Sequence, residues 1–261
     1  MAIKALGQHF LSDKLYLEQI IAPAKLEADD VVLEIGPGHG DLTRLLLKDT
    51  KKVIAVEYDS NLANELLSKI AFKDSEKLTV ISQDIRSFNF SSMDASYKLV
   101  ANIPYYLTSH LIELISETPN PPGLAVILVQ KDVAQRVCEE PGRMSILSVA
   151  TNLYWETSLG ITIPPSAFSP PPKVDSQVLI LVRRKKLLFD VDPKIFMRIV
   201  KAGFSEKRKT LRNSLSGGLK ISKELSEEIL DKLKIDSGLR AQELTMEQWH
   251  MIYKEFAEKV L

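Results

Sequence analysis

Cysteine occurs once in the 261 residues, at Cys138, so a disulfide within the chain and a cysteine-rich metal site are both excluded. Histidine is scarce as well. His9, His39, His110 and His250 show no ligand-like spacing, and no metal is expected. No apolar run is long enough to span a bilayer, and the N-terminus lacks the apolar core of a signal peptide. The expectations are a cytoplasmic location and no membrane partner. Net charge is missing too, with 34 basic side chains against 34 acidic ones.

That balance is uneven along the chain. Lys and Arg number 16 against 22 Asp and Glu in residues 1–182, 12 against 3 in 183–220, and 6 against 9 in 221–261. A surplus of +9 within 38 residues, between acidic flanks, suits a polyanionic partner such as nucleic acid. Apolar residues at 45% and charged residues at 26% fit a folded globular chain.

Strand and helix signals alternate through the first two-thirds. "VVLEIG" (31–36), "KVIAVEYD" (52–59), "KLTVIS" (77–82), "YKLVAN" (97–102) and "GLAVILVQ" (123–130) read as short, nearly continuous apolar strands. Between them, Leu42 to Leu47, "SNLANELLSKIAF" (60–72, with Ser60 as its cap) and "LTSHLIELIS" (107–116) carry helical spacing. Strands of that kind separated by helices predict a parallel sheet covered on both faces. "TSLGITI" (157–163) and "SQVLILVRR" (176–184) lack a helix between them and predict an antiparallel pair at one edge. After Arg184 every remaining pattern is helical, which places a domain boundary at 185–190.

The turn "EIGPGHGD" (34–41) carries glycines at 36, 38 and 40, where a missing Cβ lets backbone approach a ligand. A dinucleotide fingerprint would want glycine at position 41, where Asp41 stands. An acid there opposes a pyrophosphate at a helix N-terminus but not a cationic sulfonium. The stretch fits E/D-x-G-x-G-x-G, as in S-adenosylmethionine-dependent methyltransferases. Glu57 closes the second strand, where a carboxylate can accept from ribose hydroxyls, and Asp84 follows the third, placed for an adenine amino group.

"NIPYY" (102–106) ends the fourth strand. A nitrogen conjugated to an adenine ring needs acceptors that favour its pyramidal form, and the Asn102 oxygen with the adjoining carbonyl supplies them. Pro104 stiffens the turn beforehand. Tyr105 offers a ring for base stacking, and Tyr106 is expected to pack inward.

With these residues in place, the chain resembles the ribosomal RNA adenine dimethyltransferase family, the bacterial small-subunit enzymes linked to kasugamycin sensitivity. The resemblance runs through "LGQHFLSD" (6–13), "EIGPGHGDLT" (34–43), "NIPYYLTS" (102–109), "PPSAFSPPPKVDSQV" (164–178), "FSEKRKTLRNSL" (204–215) and "RAQELTMEQW" (240–249). It implies a Rossmann-like class I methyltransferase domain, with a mostly parallel seven-stranded sheet, over residues 1–187. A small all-α RNA-binding domain would follow over 188–261. It implies S-adenosyl-L-methionine as cofactor, held by His9, Leu11, Gly36, Glu57, Asp84 and Asn102, with Gly38 in the same loop. Asparagine is usual in the family where His9 stands. The implied catalytic set is Asn102, Pro104, Tyr105 and Phe168, the last closing on the target base opposite Tyr105. Lys207, Arg208, Lys209 and Arg212, expected on one helix near the methyl-transfer face, would contact RNA phosphates.

The implied reaction is dimethylation of N6 on two adjacent adenines in the 3′-terminal hairpin loop of small-subunit RNA. The partners would be that RNA and the pre-30S particle, bound by a monomer. A large-subunit RNA adenine methyltransferase of the macrolide-resistance type, and an assembly factor acting mainly by RNA binding, are the alternatives. A nicotinamide-dependent oxidoreductase is opposed by Asp41.

Overall fold

The computed structural model describes residues 9–70, 74, 76–94 and 96–260. Residues 6–8 of "LGQHFLSD" and 71–72 of the third-listed helical run lie outside them. Contacts divide the chain into two units, Met1–Ala134 with Trp155–Arg183, and Gln135–Tyr154 with Arg184–Leu261. A single cut after residue 187 does not reproduce this division, because 135–154 leaves the sheet unit and joins the helices.

In the first unit, β1 (Phe10–Leu11) and α1 (Lys14–Ile21) precede β2 (Val31–Ile35), α2 (Asp41–Asp49), β3 (Lys52–Glu57) and α3 (Ser60–Lys69). Then come β4 (Leu78–Ser82), β5 (Lys98–Asn102), α4 (Thr108–Glu117), β6 (Leu124–Gln130) and α5 (Lys131–Val137). After α6 (Ile146–Tyr154), which belongs to the second unit, follow β7 (Trp155–Ile163), β8 (Phe168–Ser169) and β9 (Ser176–Arg183). The sheet runs β4-β3-β2-β5-β6-β9-β7. The first five strands are parallel, while β9 is antiparallel to both β6 and β7. That is the seven-stranded, mostly parallel arrangement the patterns predict, with the antiparallel pair at one edge.

The strands read as unbroken apolar runs because they lie mid-sheet: all five residues of β2, and Ala125 to Val129 of β6, are buried. Trp155 fixes the antiparallel edge. Its indole N–H donates to Ser116 Oγ at 2.7 Å, and the Arg183 guanidinium lies 4.9 Å above its ring. The chain order reverses between β2 and β5, so Ile35 and Asn102 end side by side at a topological switch point. The α3 cap is Asp59 and not Ser60. The Asp59 carboxylate accepts from the Asn61 and Leu62 amides, and Ser60 is the first helical residue.

In the second unit, α7 (Pro193–Gly203) packs on α6, on α8 (Leu211–Leu219) and on α10 (Met246–Val260), while α9 (Lys223–Lys232) packs on α8 and α10. Phe196, Ile199, Leu211, Leu215, Trp249 and Phe256 are fully buried among them. The crossing of α7 and α8 is close, since a Cβ on Gly218 would stand 2.6 Å from the Ala202 Cα. Backbone cannot yield as a side chain can. Gly218→Ala should therefore lose more by overpacking than the roughly 1 kcal/mol alanine gains in helix propensity. A net loss of about 1–3 kcal/mol is expected from denaturant unfolding, and an unchanged midpoint would refute it.

Candidate active site

One cavity at the carboxyl edge of β2–β5 is lined by His9, Leu11, Gly36, Gly38, Glu57, Asp84, Asn102, Pro104 and Tyr105. Residues from five separate stretches are brought together there by the switch point. Phe168 is the exception. Pairing of β8 with β1 sets Phe168 opposite Leu11, and its ring is buried in the core with Leu17 and Val178, outside the cavity lining. It does not stand opposite Tyr105, so the expected aromatic sandwich is not formed in this structure.

The glycine turn is held from inside the protein. Gly36, Gly38 and Gly40 have φ of +67°, +55° and +81°, a left-handed path that β-carbons disfavour. A Cβ on Gly38 would also come within 3.0 Å of the Phe10 ring, which roofs the turn. Glu57 braces it: one carboxylate oxygen accepts from the Gly38 amide at 3.1 Å, the other from the Asp59 amide at 2.9 Å. Burial pushes the Glu57 carboxyl above its ordinary range, and the amide hydrogen bonds work against that rise.

Asp84 is more engaged than its sequence position suggests. Its carboxylate accepts from the Arg86 amide at 2.9 Å and from the Arg86 guanidinium at 2.5 to 3.0 Å. The Arg86 side chain holds this carboxyl below its usual range. An adenine amino group would therefore share Asp84 with Arg86.

At the end of β5, Pro104 (φ −57°, ψ 134°) starts a 3-10 turn over Tyr105–Leu107, closed by the Leu107 amide on the Pro104 carbonyl at 3.0 Å. The half-buried Tyr105 hydroxyl bonds Ser176 Oγ at 2.7 Å, and burial raises its pKa. His9 lies beside the Tyr105 ring, centroids 5.8 Å apart and planes 27° from parallel. Its Nδ1 donates to the Pro170 carbonyl at 2.8 Å, since a carbonyl can only accept. Tyr106 does not pack inward as expected: it is 72% exposed. Successive residues of a 3-10 turn point about 120° apart, so a turn that aims Tyr105 inward sends Tyr106 out.

Glu34 was quoted in the glycine motif without a role. It is 1% exposed, lines the same cavity, and neither carboxylate oxygen has a hydrogen-bond partner. Burial pushes its pKa up to about 8, with the Thr43 hydroxyl opposing and the charge of Glu57 adding. An orphaned buried acid beside a cleft suits a ligand that carries positive charge or donor hydrogens. The glycine turn, the bracing Glu57 and this acid together fit a cationic nucleoside such as S-adenosyl-L-methionine.

The basic residues fall in the second unit, and only Arg212 is helical. Lys207, Arg208 and Lys209 occupy the turn before Thr210, the residue that caps α8. Thr210 is extended (ψ 157°), so the helix begins only at Leu211. Within the basic block, Lys209 pairs with Glu206 at 2.6 Å and Arg212 with Glu227 at 2.9 Å. Arg183 and Arg184 donate to the carbonyls of Ser116 and Asn152. Part of the surplus charge thus supports the fold.

A family model described as ribosomal RNA adenine dimethylase matches residues 2–258. A ribosomal RNA small subunit methyltransferase A from Dehalococcoides mccartyi (strain CBDB1) is 39% identical over 260 residues, covering 98% of this chain and 89% of that relative. A solved dimethyladenosine transferase from Plasmodium falciparum is similar with a TM-score of 0.83 and 27% identity, over 96% of this chain and 98% of that one. The 23S rRNA methyltransferase ErmE is similar with a TM-score of 0.76 and 27% identity, over 95% of this chain and 99% of that one. The match takes in the glycine turn, the amide–proline–tyrosine corner and the helical unit alike, and the chain belongs to the ribosomal RNA adenine dimethylase family.

Proposed function

We propose that this enzyme dimethylates N6 of two adjacent adenines in the 3′-terminal hairpin loop of small-subunit ribosomal RNA, acting as a monomer on the pre-30S particle in the cytoplasm. The observation that carries the reading is the cavity itself, where Asn102, Pro104 and Tyr105 share one wall with the glycine turn, Glu57 and Asp84. S-adenosyl-L-methionine, held by His9, Leu11, Gly36, Gly38, Glu57, Asp84 and Asn102, supplies an electrophilic methyl group on a positively charged sulfur.

The protein's own part is positioning and electrostatics. The Asn102 side-chain oxygen and the adjoining backbone carbonyl accept the two N–H bonds of the adenine amine, favouring a nitrogen whose lone pair is available. Pro104 fixes these acceptors before substrate arrives, so little reorganisation remains at the moment of transfer. Tyr105 stacks on the base, with its hydroxyl tethered to Ser176 so that the ring cannot swing. No strong base is required, because the amine proton becomes acidic once nitrogen gains its methyl group. Lys207, Arg208, Lys209 and Arg212 would meet RNA phosphates, and recognition of the hairpin would depend mainly on shape.

The relative named for the small subunit, at 39% identity, favours that substrate over the large-subunit one. Labelled S-adenosylmethionine, incubated with undermethylated small subunits or with large-subunit RNA, should mark only the small-subunit RNA. Label confined to the large-subunit RNA would overturn the choice.

A further inference from the structure

We propose that Tyr106, Tyr58 and Arg86 form a second nucleobase site at the rim of the cavity, taking the unpaired base next to the one being methylated. The inference rests on the RNA-methylating reading and goes beyond it. Tyr106 is 72% exposed, Tyr58 is 63% exposed, and the Arg86 side chain is 61% exposed, yet all three line the cavity. Both tyrosines lie within electrostatic reach of the Arg86 guanidinium.

Local geometry explains why each side chain points outward. The 3-10 turn that aims Tyr105 at Ser176 turns Tyr106 to solvent. Tyr58 follows Glu57 at the end of β3, and consecutive side chains there alternate in direction, so the inward Glu57 leaves Tyr58 facing out. Arg86 is held by its bidentate contact with Asp84 two residues earlier. Two phenol rings and a flat cation left in water serve no packing purpose. They suit a partner with π-faces and negative charge, and unpaired RNA offers both.

The cavity also explains why a second base needs a place. One flat base fills the corner beside Asn102 and Tyr105, so its covalent neighbour must emerge at the rim. A rim of aromatic and guanidinium planes can stack that neighbour whatever its identity, because every base has a π-face. Such a site would hold adjacent adenines in register while each is served in turn.

The test uses the full-length protein with S-adenosylhomocysteine and a hairpin RNA carrying 2-aminopurine beside the target adenine. With wild-type protein, binding should quench the 2-aminopurine fluorescence by stacking. Tyr106→Ala should remove most of that quenching and weaken RNA binding roughly 5- to 100-fold, the range expected for one lost base–aromatic stack. Tyr106→Phe should retain both. Tyr58→Ala is the second variant, expected to act in the same direction. Calorimetric titration with S-adenosylhomocysteine should show wild-type affinity for the Tyr106 variants, which establishes that they are folded. Undiminished quenching in both alanine variants would overturn the proposal. Failure of the wild-type protein to bind or methylate the RNA at all would instead refute the underlying functional reading.

Discussion

Asn102→Ala should slow methyl transfer by roughly 10²- to 10³-fold, the typical cost of deleting one preorganised polar group at a reacting centre. The side chain sits at the last position of β5, in register with Leu128, so its direction is set by the sheet and not by a mobile loop. Removing its oxygen leaves a single backbone acceptor for two N–H bonds, and the amine then keeps its electrons in the ring. The measurement is single-turnover transfer at saturating RNA and cofactor, which separates chemistry from binding. Tyr105→Phe provides the contrast. It keeps the stacking ring and loses one hydrogen bond to Ser176, worth about 1 kcal/mol, so a decrease of roughly fivefold is expected. An Asn102→Ala rate within threefold of wild type would remove the amide from the mechanism.

Glu34→Gln should abolish a pronounced pH dependence of stability. The folded carboxyl, with its pKa at about 8, keeps a proton that the unfolded chain loses near 4.5. Between those values the native state binds more protons than the unfolded one, so stability falls as pH rises through the window. The slope for one group is about 1.4 kcal/mol per pH unit. From pH 5 to pH 8 the wild type should lose roughly 3–4 kcal/mol relative to the glutamine variant, which has nothing to titrate. Below pH 5 the two curves run parallel. Denaturant midpoints for both proteins at pH 5, 6.5 and 8 measure the difference, and parallel curves throughout would show that Glu34 is ionised in the fold.

Much of this architecture could be read in advance because its signals are local. A central parallel strand must be apolar on both faces, and β2, β3, β5 and β6 show that directly in five to seven consecutive residues. The acids at successive strand ends could be placed because strand order fixes where each end lies. What escaped notice depends on partners distant in sequence. Residues 135–154 carry helical residues that join the second unit across a long stretch of chain, which no window of sequence reveals. Phe168 is drawn into the core by pairing with β1, some 157 residues earlier in register with Leu11. Tyr106 goes outward because Tyr105 has been claimed by Ser176. The run "EKRKTLRN" has helical composition throughout, yet Thr210 in an extended conformation starts the helix only at Leu211. Ser60 and Asp59 are both good caps, and only backbone geometry chooses between them.

A donor that is spent after each methyl group must be discharged and replaced several times if two adenines are each to gain two. Glu57, through its hold on the Gly38 and Asp59 amides, lets that exchange proceed without the binding wall collapsing in between. The ordering cost of shaping the glycine turn is met once, during folding, and each incoming donor meets a surface already in its receptive form.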